Sequence, residues 1–489
     1  MKIKYALYLI VLLPFIFISC SETSNNSENN SQGNSTNGKT AAQESLLINI
    51  KKKGKLTAFT NYNSHGYFLY RGSTMGFQYE LLKSFSDYLG VELELVIQSE
   101  FSQVMANINN KEYDVLAMDL AITAERKKYM LFSDPIYKSK QILVQKLPDN
   151  WRKMRTWDDI ESHLLRDPID LQGKDIYIQK GSSFIERLKN INAETGGEMT
   201  IIEVERSIDE LIEDVANGDI EFTVCDSHVA RINKKYHKNI DIETQLGSYS
   251  QNLAWAFPLG YDSLVMACNN WLKEYKNSKE FYYVYNKYFK NSRTTMMAKS
   301  EYNSYNGNKI SPFDDIIKEY SKKIDWDWKL LASLIYQESK FDPQAESWAG
   351  AFGLMQMMPA TAKEYSITES SPAEKQIYAG VEYLESIDKQ LKPHIHDSIE
   401  RRKFVMAAYN VGLAHVLDAR RLAEKYDKNP EIWENNVDYF LLNKSKPKYY
   451  KDPVVHYGYC RGSEPYKYVN QIYKRYEHYD NLIKDDTNP

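Results

Sequence analysis

The sequence predicts a multidomain chain in which an α/β region is followed by a mainly α region, and three observations predict it. From about residue 47 to 292, short apolar strands alternate with amphipathic helices. From about 311 to 485, apolar residues recur at helical spacing. Between the two, 293–310 is polar, with a second half rich in glycine and asparagine, as a linker is. A chain of 489 residues accommodates two or three domains. Its net charge of −4 argues against nucleic acid as a bulk partner, because a surface that tracks phosphates needs a basic excess.

MKIKYALYLIVLLPFIFISC opens the chain. Lys2 and Lys4 form a basic start, and Tyr5 to Ile18 an apolar stretch shorter than the roughly 20 residues that span a bilayer. The segment resembles the lipobox of bacterial lipoproteins, which implies a signal peptide over 1–19 and a lipidated Cys20. A secretory signal with an incidental cysteine is the alternative. Several acyl chains, at ~0.8 kcal/mol per buried CH₂, would hold the protein firmly at a membrane. Ser21 in place of aspartate favours the outer membrane, facing the periplasm. Residues 20–46, rich in Asn and Ser, have too little apolar surface to fold and form a tether. Cys225, Cys268 and Cys460 show neither metal spacing nor a disulfide framework, and no metal or cofactor is expected.

Within 47–292, LTAFT (56–60) is a strand. GFQYELLKSFSDYLG (76–90) places Leu81, Leu82, Phe85, Tyr88 and Leu89 at helical spacing and stops at Gly90. VELELVI (91–97) alternates with period two, and YDVLAMD (113–119) holds an apolar strand. SIDE (207–210) is a capping box whose helix closes near Gly218; EFTV (221–224) then leads to Cys225 and Asp226. Alternating β and α units imply largely parallel sheets, with ligands at the C-terminal ends of the strands.

The helix at 76–90 and YDVLAMDLAITAERKKYMLFSDPIY (113–137) resemble the extracellular solute-binding proteins that capture polar amino acids. The resemblance implies a two-lobed, type II periplasmic-binding-protein-like domain. Its first lobe would span about 47–143 and 253–292 and its second about 144–252, with LAWAFP (253–258) as the return crossing. Thr123 and Arg126 match the family's T-x-x-R, whose guanidinium pairs with the ligand's α-carboxylate. Ser182 in QKGSSF (179–184) matches the turn that completes this site, and Asp226 the partner of the α-amino group. From the residues alone, Arg126 beside Lys127 and Lys128 also fits a solvated helix face, and Asp226 a helix N-cap. Tyr62, Tyr67 and Phe68 fit either a cleft wall or a core.

In WDWKLLASLIYQES (326–339), Leu331, Leu334 and Ile335 lie seven, four and three residues before Glu338 and so share its face. Pressed against aliphatic groups, a carboxyl has its pKa raised and can act as a general acid near neutral pH. By itself the helix equally fits a glutamate that reaches water past Lys340. The continuation, E-S-x-F-x-P-x-A and then S-x-x-G-A-x-G-L-M-Q, resembles the signature of lytic transglycosylases with a goose-type-lysozyme-like domain. The resemblance makes Glu338 the catalytic acid and Ser339 a hydroxyl that hydrogen-bonds it. Gly350 and Gly353 become turn glycines, and Met355 and Gln356 line the glycan cleft. AAYNVG (407–412) brings Tyr409 and Asn410 to the site, although Ala414 stands where a second glycine is common. YGYCRGSEPYKYVNQIYKRY (457–476) resembles the closing helix, whose Tyr468 contacts the catalytic carboxyl.

Together the two regions resemble the membrane-bound lytic murein transglycosylase F family, and the resemblance covers nearly everything after the tether. Its implied partners are peptidoglycan glycan strands, an amino acid or muropeptide in the first domain, and a membrane reached through a lipid, with a place in the cell envelope. Glycoside hydrolysis normally needs two carboxylates. Asp342 and Glu346 sit too near the helix end to supply the second, and Glu464 matches a structural position. One acid suffices if the sugar's own C6 hydroxyl is the nucleophile. A muramidase that uses water, and a ligand-sensing lipoprotein with an inactive second domain, are the alternatives.

Overall fold

In the computed structural model, residues 46–483 are described except 64, 97–100, 248, 291–296, 298 and 299. The leader, Cys20 and nearly all of the tether lie outside the described residues. No described helix is long and apolar enough to cross a membrane.

The first lobe contains β1 (Lys55–Thr60), β2 (Phe68–Tyr70), β3 (Ser73–Met75), β4 (Glu92–Val96), β5 (Val115–Ala121), β6 (Leu131–Phe132) and β7 (Tyr137–Ser139). The second lobe contains β8 (Gln141–Lys146), β9 (Asp175–Gln179), β10 (Thr200–Val204), β11 (Phe222–Asp226) and β12 (Ile240–Asp241). β13 (Gln251–Phe257) returns to the first sheet, whose order is β4-β1-β5-β13-β6, with β7 also paired to β13. The second sheet runs β10-β9-β11-β8-β12. β1 pairs in parallel with β4 and β5, and β9 with β10 and β11, whereas β13 and β8 run antiparallel to β5 and β11. The outgoing crossing falls between Ser139 and Gln141, ahead of the expected 144, because YKSKQILVQK carries no breaker to mark the change of sheet.

Local chemistry accounts for the helices. α1 (Phe77–Leu89) buries Leu81, Leu82, Phe85 and Leu89 and ends at Gly90, whose φ of 73° lets its N–H reach the Asp87 and Ser86 carbonyls. α2 (Ile208–Asn217) has the expected reciprocal Ser207–Glu210 capping box. α3 (Ser227–Tyr236) starts directly after Asp226, whose side chain makes no cap hydrogen bond. Asp226 thus occupies the N-cap position, as one reading expected, without spending its carboxylate on the helix.

The mainly α region is built on α4 (Trp328–Ser339), α5 (Ala373–Leu391), α6 (Ser398–Val411) and α7 (Ser463–Leu482), with α7 packed along both α4 and α6. Its core takes in two residues of the first lobe, Tyr67 and Leu69, beside Leu331, Ile335 and Phe341. Tyr67 is therefore a domain-interface residue and not a cleft wall, and Phe68 belongs to the first lobe's own core. Hydrogen bonds sit around this apolar contact. Tyr67 Oη lies 2.8 Å from His478 Nδ1, Ser73 Oγ lies 2.7 Å from Tyr336 Oη, and the Tyr479 hydroxyl donates to the Gly72 carbonyl at 2.8 Å. The expected linker is packed rather than free towards its C-terminal end. Leu69 N–H donates to Ser304 Oγ at 2.9 Å, Arg71 N–H to the Tyr302 carbonyl at 3.0 Å, and Ile310 is fully buried. Cys225, Cys268 and Cys460 are buried free thiols.

Candidate active site and interlobe cleft

α4 delivers Glu338 at its last turn. Asp327 caps the start of the helix through Lys329 N–H at 2.7 Å, and Leu331, Leu334 and Ile335 are fully buried along the face that leads to the carboxyl. The residue keeps some exposure as a whole, while its carboxyl is desolvated. Burial pushes the Glu338 carboxyl up to about 7, against the opposing effect of the Tyr468 hydroxyl, which donates to Oε1. The Tyr468 phenol is raised well above its ordinary value, first by burial and then by Glu338, so it stays a donor.

The chain then turns sharply. Lys340 and Phe341, just after Glu338, take φ of 54° and 64°, and Gln356 46°, a left-handed conformation costly for side chains with a Cβ. Gly353, with φ 78°, has no room for a side chain: a Cβ would stand 2.4 Å from Gln376 Oε1. Gln376 was not singled out from the sequence. It is buried on α5, accepts from Leu354 N–H at 2.7 Å and donates to the Ser371 carbonyl at 2.9 Å, so it fixes the loop that follows Glu338. A glutamine on the helical face that carries Gly380, Leu384 and Ile387 was the available signal.

The expected side chains converge, with different tasks from those implied. Ser339 does not turn to Glu338: its hydroxyl lies 2.9 Å from the Leu354 carbonyl and 3.2 Å from that of Ile335, and ties the helix end to the loop. Met355 is 1 % exposed and packed beside Gly380, so it supports the cleft floor from beneath instead of lining it. Gln356 spends its amide N–H₂ on the Ala345 and Gly353 carbonyls, at 2.9 and 3.0 Å. Tyr409 donates to the Met355 carbonyl at 2.7 Å, and the Glu338 charge contributes to its raised pKa after burial does. Asn410, two residues before Gly412 at the C-terminal cap of α6, is exposed.

The second site is the cleft between the lobes, lined by Arg126, Ser182 and Asp226 together with Asn63, His65, Gln78 and Asp119. Arg126 is buried, not a solvated helix face; it donates to the Ala121 carbonyl at 3.2 Å and across the cleft to that of Gly181 at 3.3 Å. Thr123 does not line the cleft; its Oγ accepts the Arg126 N–H at 3.2 Å and shapes the turn. Burial raises the Asp226 carboxyl to about 6 despite the nearby His228, and its Oδ1 has no hydrogen-bond partner, like Ser182 Oγ. Asp119 would also be raised by burial, but His228 and His65 outweigh that and hold it well below the usual carboxylate range. His65, Asp119 and His228 escaped sequence reading because nothing in their spacing foretells their meeting.

Residues 57–291 match the family described as bacterial extracellular solute-binding proteins, family 3, and residues 315–432 match the transglycosylase SLT domain. Two proteins called membrane-bound lytic murein transglycosylase F are similar across most of the chain. That of Desulfosudis oleivorans is 30% identical over 432 residues, 88% of this chain and 91% of its own. That of Saccharophagus degradans is 30% identical over 435 residues, 87% of this chain and 82% of its own. Among solved structures, a mutant of ArgBP from T. maritima aligns with 50% of this chain and 99% of its own, at 23% identity and a TM-score of 0.43.

Proposed function

The chain belongs to the membrane-bound lytic murein transglycosylase F family, and from that premise we propose that Glu338 alone supplies the acid and base of a non-hydrolytic cleavage of peptidoglycan. The protein is a peptidoglycan lytic transglycosylase with a solute-binding-protein-like N-terminal domain and a helical, lysozyme-like SLT domain. One observation supports the single-acid mechanism. Burial and the Tyr468 hydroxyl account for the position of Glu338 near 7, and no second carboxylate among the described residues contributes to it.

Protonated Glu338 donates to the oxygen that joins N-acetylmuramic acid to N-acetylglucosamine. The bond from C1 to that oxygen breaks and its electron pair leaves with the N-acetylglucosamine hydroxyl, with the neighbouring acetamido group assisting. Glu338, now a carboxylate, takes the proton of the muramoyl C6 hydroxyl, whose oxygen bonds C1. The product is a 1,6-anhydromuramoyl end, no water is consumed, and the acid is restored. One group acts in both directions, which a pKa near the working pH permits. Exposed Asn410 is available to orient acetamido or hydroxyl groups; Tyr468 and Tyr409 hold the carboxyl and the loop beneath it.

Digestion of purified sacculi with mass analysis of the products tests this. Anhydro ends are expected; products heavier by one water would make the enzyme a muramidase, and no release would make the second domain inactive. The N-terminal cleft takes an amino acid or short muropeptide, Arg126 facing its carboxylate and Asp226, with its unpartnered Oδ1, its ammonium group. Binding there regulates the enzyme through the shared core. The same digestion repeated with amino acids and muropeptides is expected to run at a changed rate, and indifference to all of them would remove the regulatory role. Lipidation of Cys20 places the protein at the outer membrane of the cell envelope. Cys20→Ala is then expected in the soluble fraction after cell disruption, and its continued sedimentation with membranes would sink the anchor.

A further inference from the structure

Three residues outside the transglycosylase chemistry meet across the interlobe cleft. His65 follows β1 and Asp119 lies in β5, both in the first lobe, whereas His228 lies in the first turn of α3 in the second. His65 Nε2 and His228 Nε2 each stand 3.0 Å from the same oxygen, Asp119 Oδ2. One donor atom from each residue lies within 4.8 Å of the other two. Imidazole nitrogens and carboxylate oxygens bind zinc at about 2.0–2.2 Å, so neighbours in a tetrahedral shell stand ~3.3 Å apart. The two N–O edges are within a few tenths of an ångström of that figure.

The surroundings orient these donors as the outer contacts of a metal site do. The other Asp119 oxygen accepts from Gln78 Nε2 and from the Tyr137 hydroxyl. His228 Nδ1 lies 3.2 Å from Ser139 Oγ, so in the tautomer with the proton on Nδ1 the lone pair sits on Nε2, which also stands 3.1 Å from the Tyr137 hydroxyl. His65 is 3 % exposed, and its Nδ1 has no hydrogen-bond partner, so the contact with Asp119 leaves half of that buried ring unsatisfied. Two imidazoles and one carboxylate suit a borderline transition metal. They are too few oxygens for calcium and too nitrogen-rich for magnesium.

We propose that His65, Asp119 and His228 bind a divalent transition metal, zinc the first candidate, as a clamp between the two lobes. Two ligands come from one lobe and the third from the other, so the metal favours the closed arrangement of a cleft that Arg126 and Asp226 also line. His65 lies two residues before Tyr67, which docks on α7 through His478, so the clamp abuts the path from the cleft to the catalytic domain. The inference rests on the two-lobed domain alone and stands or falls apart from the transglycosylase assignment.

The test uses the full chain, stripped of metal with a chelator and dialysed. Titration with zinc is expected to show one equivalent bound at micromolar concentrations. Cobalt(II) alone is expected to give the intense visible bands of a four-coordinate site. His65→Ala and His228→Ala should each weaken zinc binding at least ~100-fold, more than the loss of an outer contact does. The exposed His394→Ala should bind as the wild type does. Absence of saturable zinc binding to the wild type, cobalt bands of six-coordinate character only, or equal binding by folded His65→Ala and His228→Ala would overturn the proposal and leave a hydrogen-bonded His–Asp–His bridge.

Discussion

Glu338→Gln is expected to lower the release of muropeptides from sacculi at least ~10³-fold. General acid–base groups contribute about 10²–10⁴-fold in a single role, and here one residue holds both roles. The isosteric amide can still accept from the Tyr468 hydroxyl and cannot donate an acidic proton. The same substitution should make the protein more stable at alkaline pH. Below pH 4.5 the carboxyl is protonated whether the chain is folded or unfolded, and it costs nothing. Between 4.5 and about 7 the unfolded carboxyl loses its proton while the folded one is held protonated, so the wild type loses stability as pH rises through that window. Holding the carboxyl from 4.5 up to about 7 corresponds to a loss on the order of 3 kcal/mol above pH 7, an upper figure for a group with some exposure. Glu338→Gln should therefore melt with the wild type at pH 4 and above it at pH 8. Wild-type cleavage should also fall as pH rises past about 7, because the initiating form is the protonated acid. Equal melting temperatures at pH 8, or cleavage persisting in Glu338→Gln, would remove Glu338 from the proposed role.

Local signals explain why much of this was legible in the sequence. Ser207 with Glu210, Gly90 after Leu89, and the period of Leu331, Leu334 and Ile335 before Glu338 are each decided within one turn of chain, and the structure follows them. The misread tasks belong to side chains whose partners come from other elements. Whether Ser339 faces Glu338 or the Leu354 carbonyl depends on how a loop fifteen residues away folds back, and Met355 is buried because Gly380 on α5 leaves a hollow for it. Periodicity marks a residue as inward-facing without saying what it meets. Tyr67 shows the same limit: an aromatic beside a cleft motif was open to two readings, and only the docking of α7 decides between them. His65, Asp119 and His228 are the extreme case, brought together by the closure of two lobes that no short motif records.

Gly72→Val should couple a defect in the binding domain to the catalytic one. Gly72 joins β2 to β3 with φ 73°, and a Cβ there would stand 2.6 Å from Tyr479 Oη, 2.7 Å from Phe341 Cε2 and 2.8 Å from Tyr336 Cδ2. Two of those rings flank Glu338 in sequence, Tyr336 before it and Phe341 after the helix end, and the Tyr336 hydroxyl is held by Ser73. Overpacking costs about 1–3 kcal/mol, and a side chain in the left-handed region adds about 1 kcal/mol. The contact surface can relieve that cost only by parting, which shifts the end of α4. A misplacement on the order of 1 Å can cost a catalytic group ~10²-fold, so cleavage should fall ~10–100-fold although no catalytic side chain has changed. Unfolding, expected as a single transition in the wild type because of the shared core, should split into two transitions. Gly260→Val separates packing from backbone strain, because Gly260 has φ 88° and nothing within 4 Å of its Cβ position. It should lose stability in the binding domain and keep wild-type cleavage. If Gly72→Val cleaves like Gly260→Val and melts in one step, the first lobe is a passenger on the catalytic domain, and ligand or metal in its cleft has no route to Glu338.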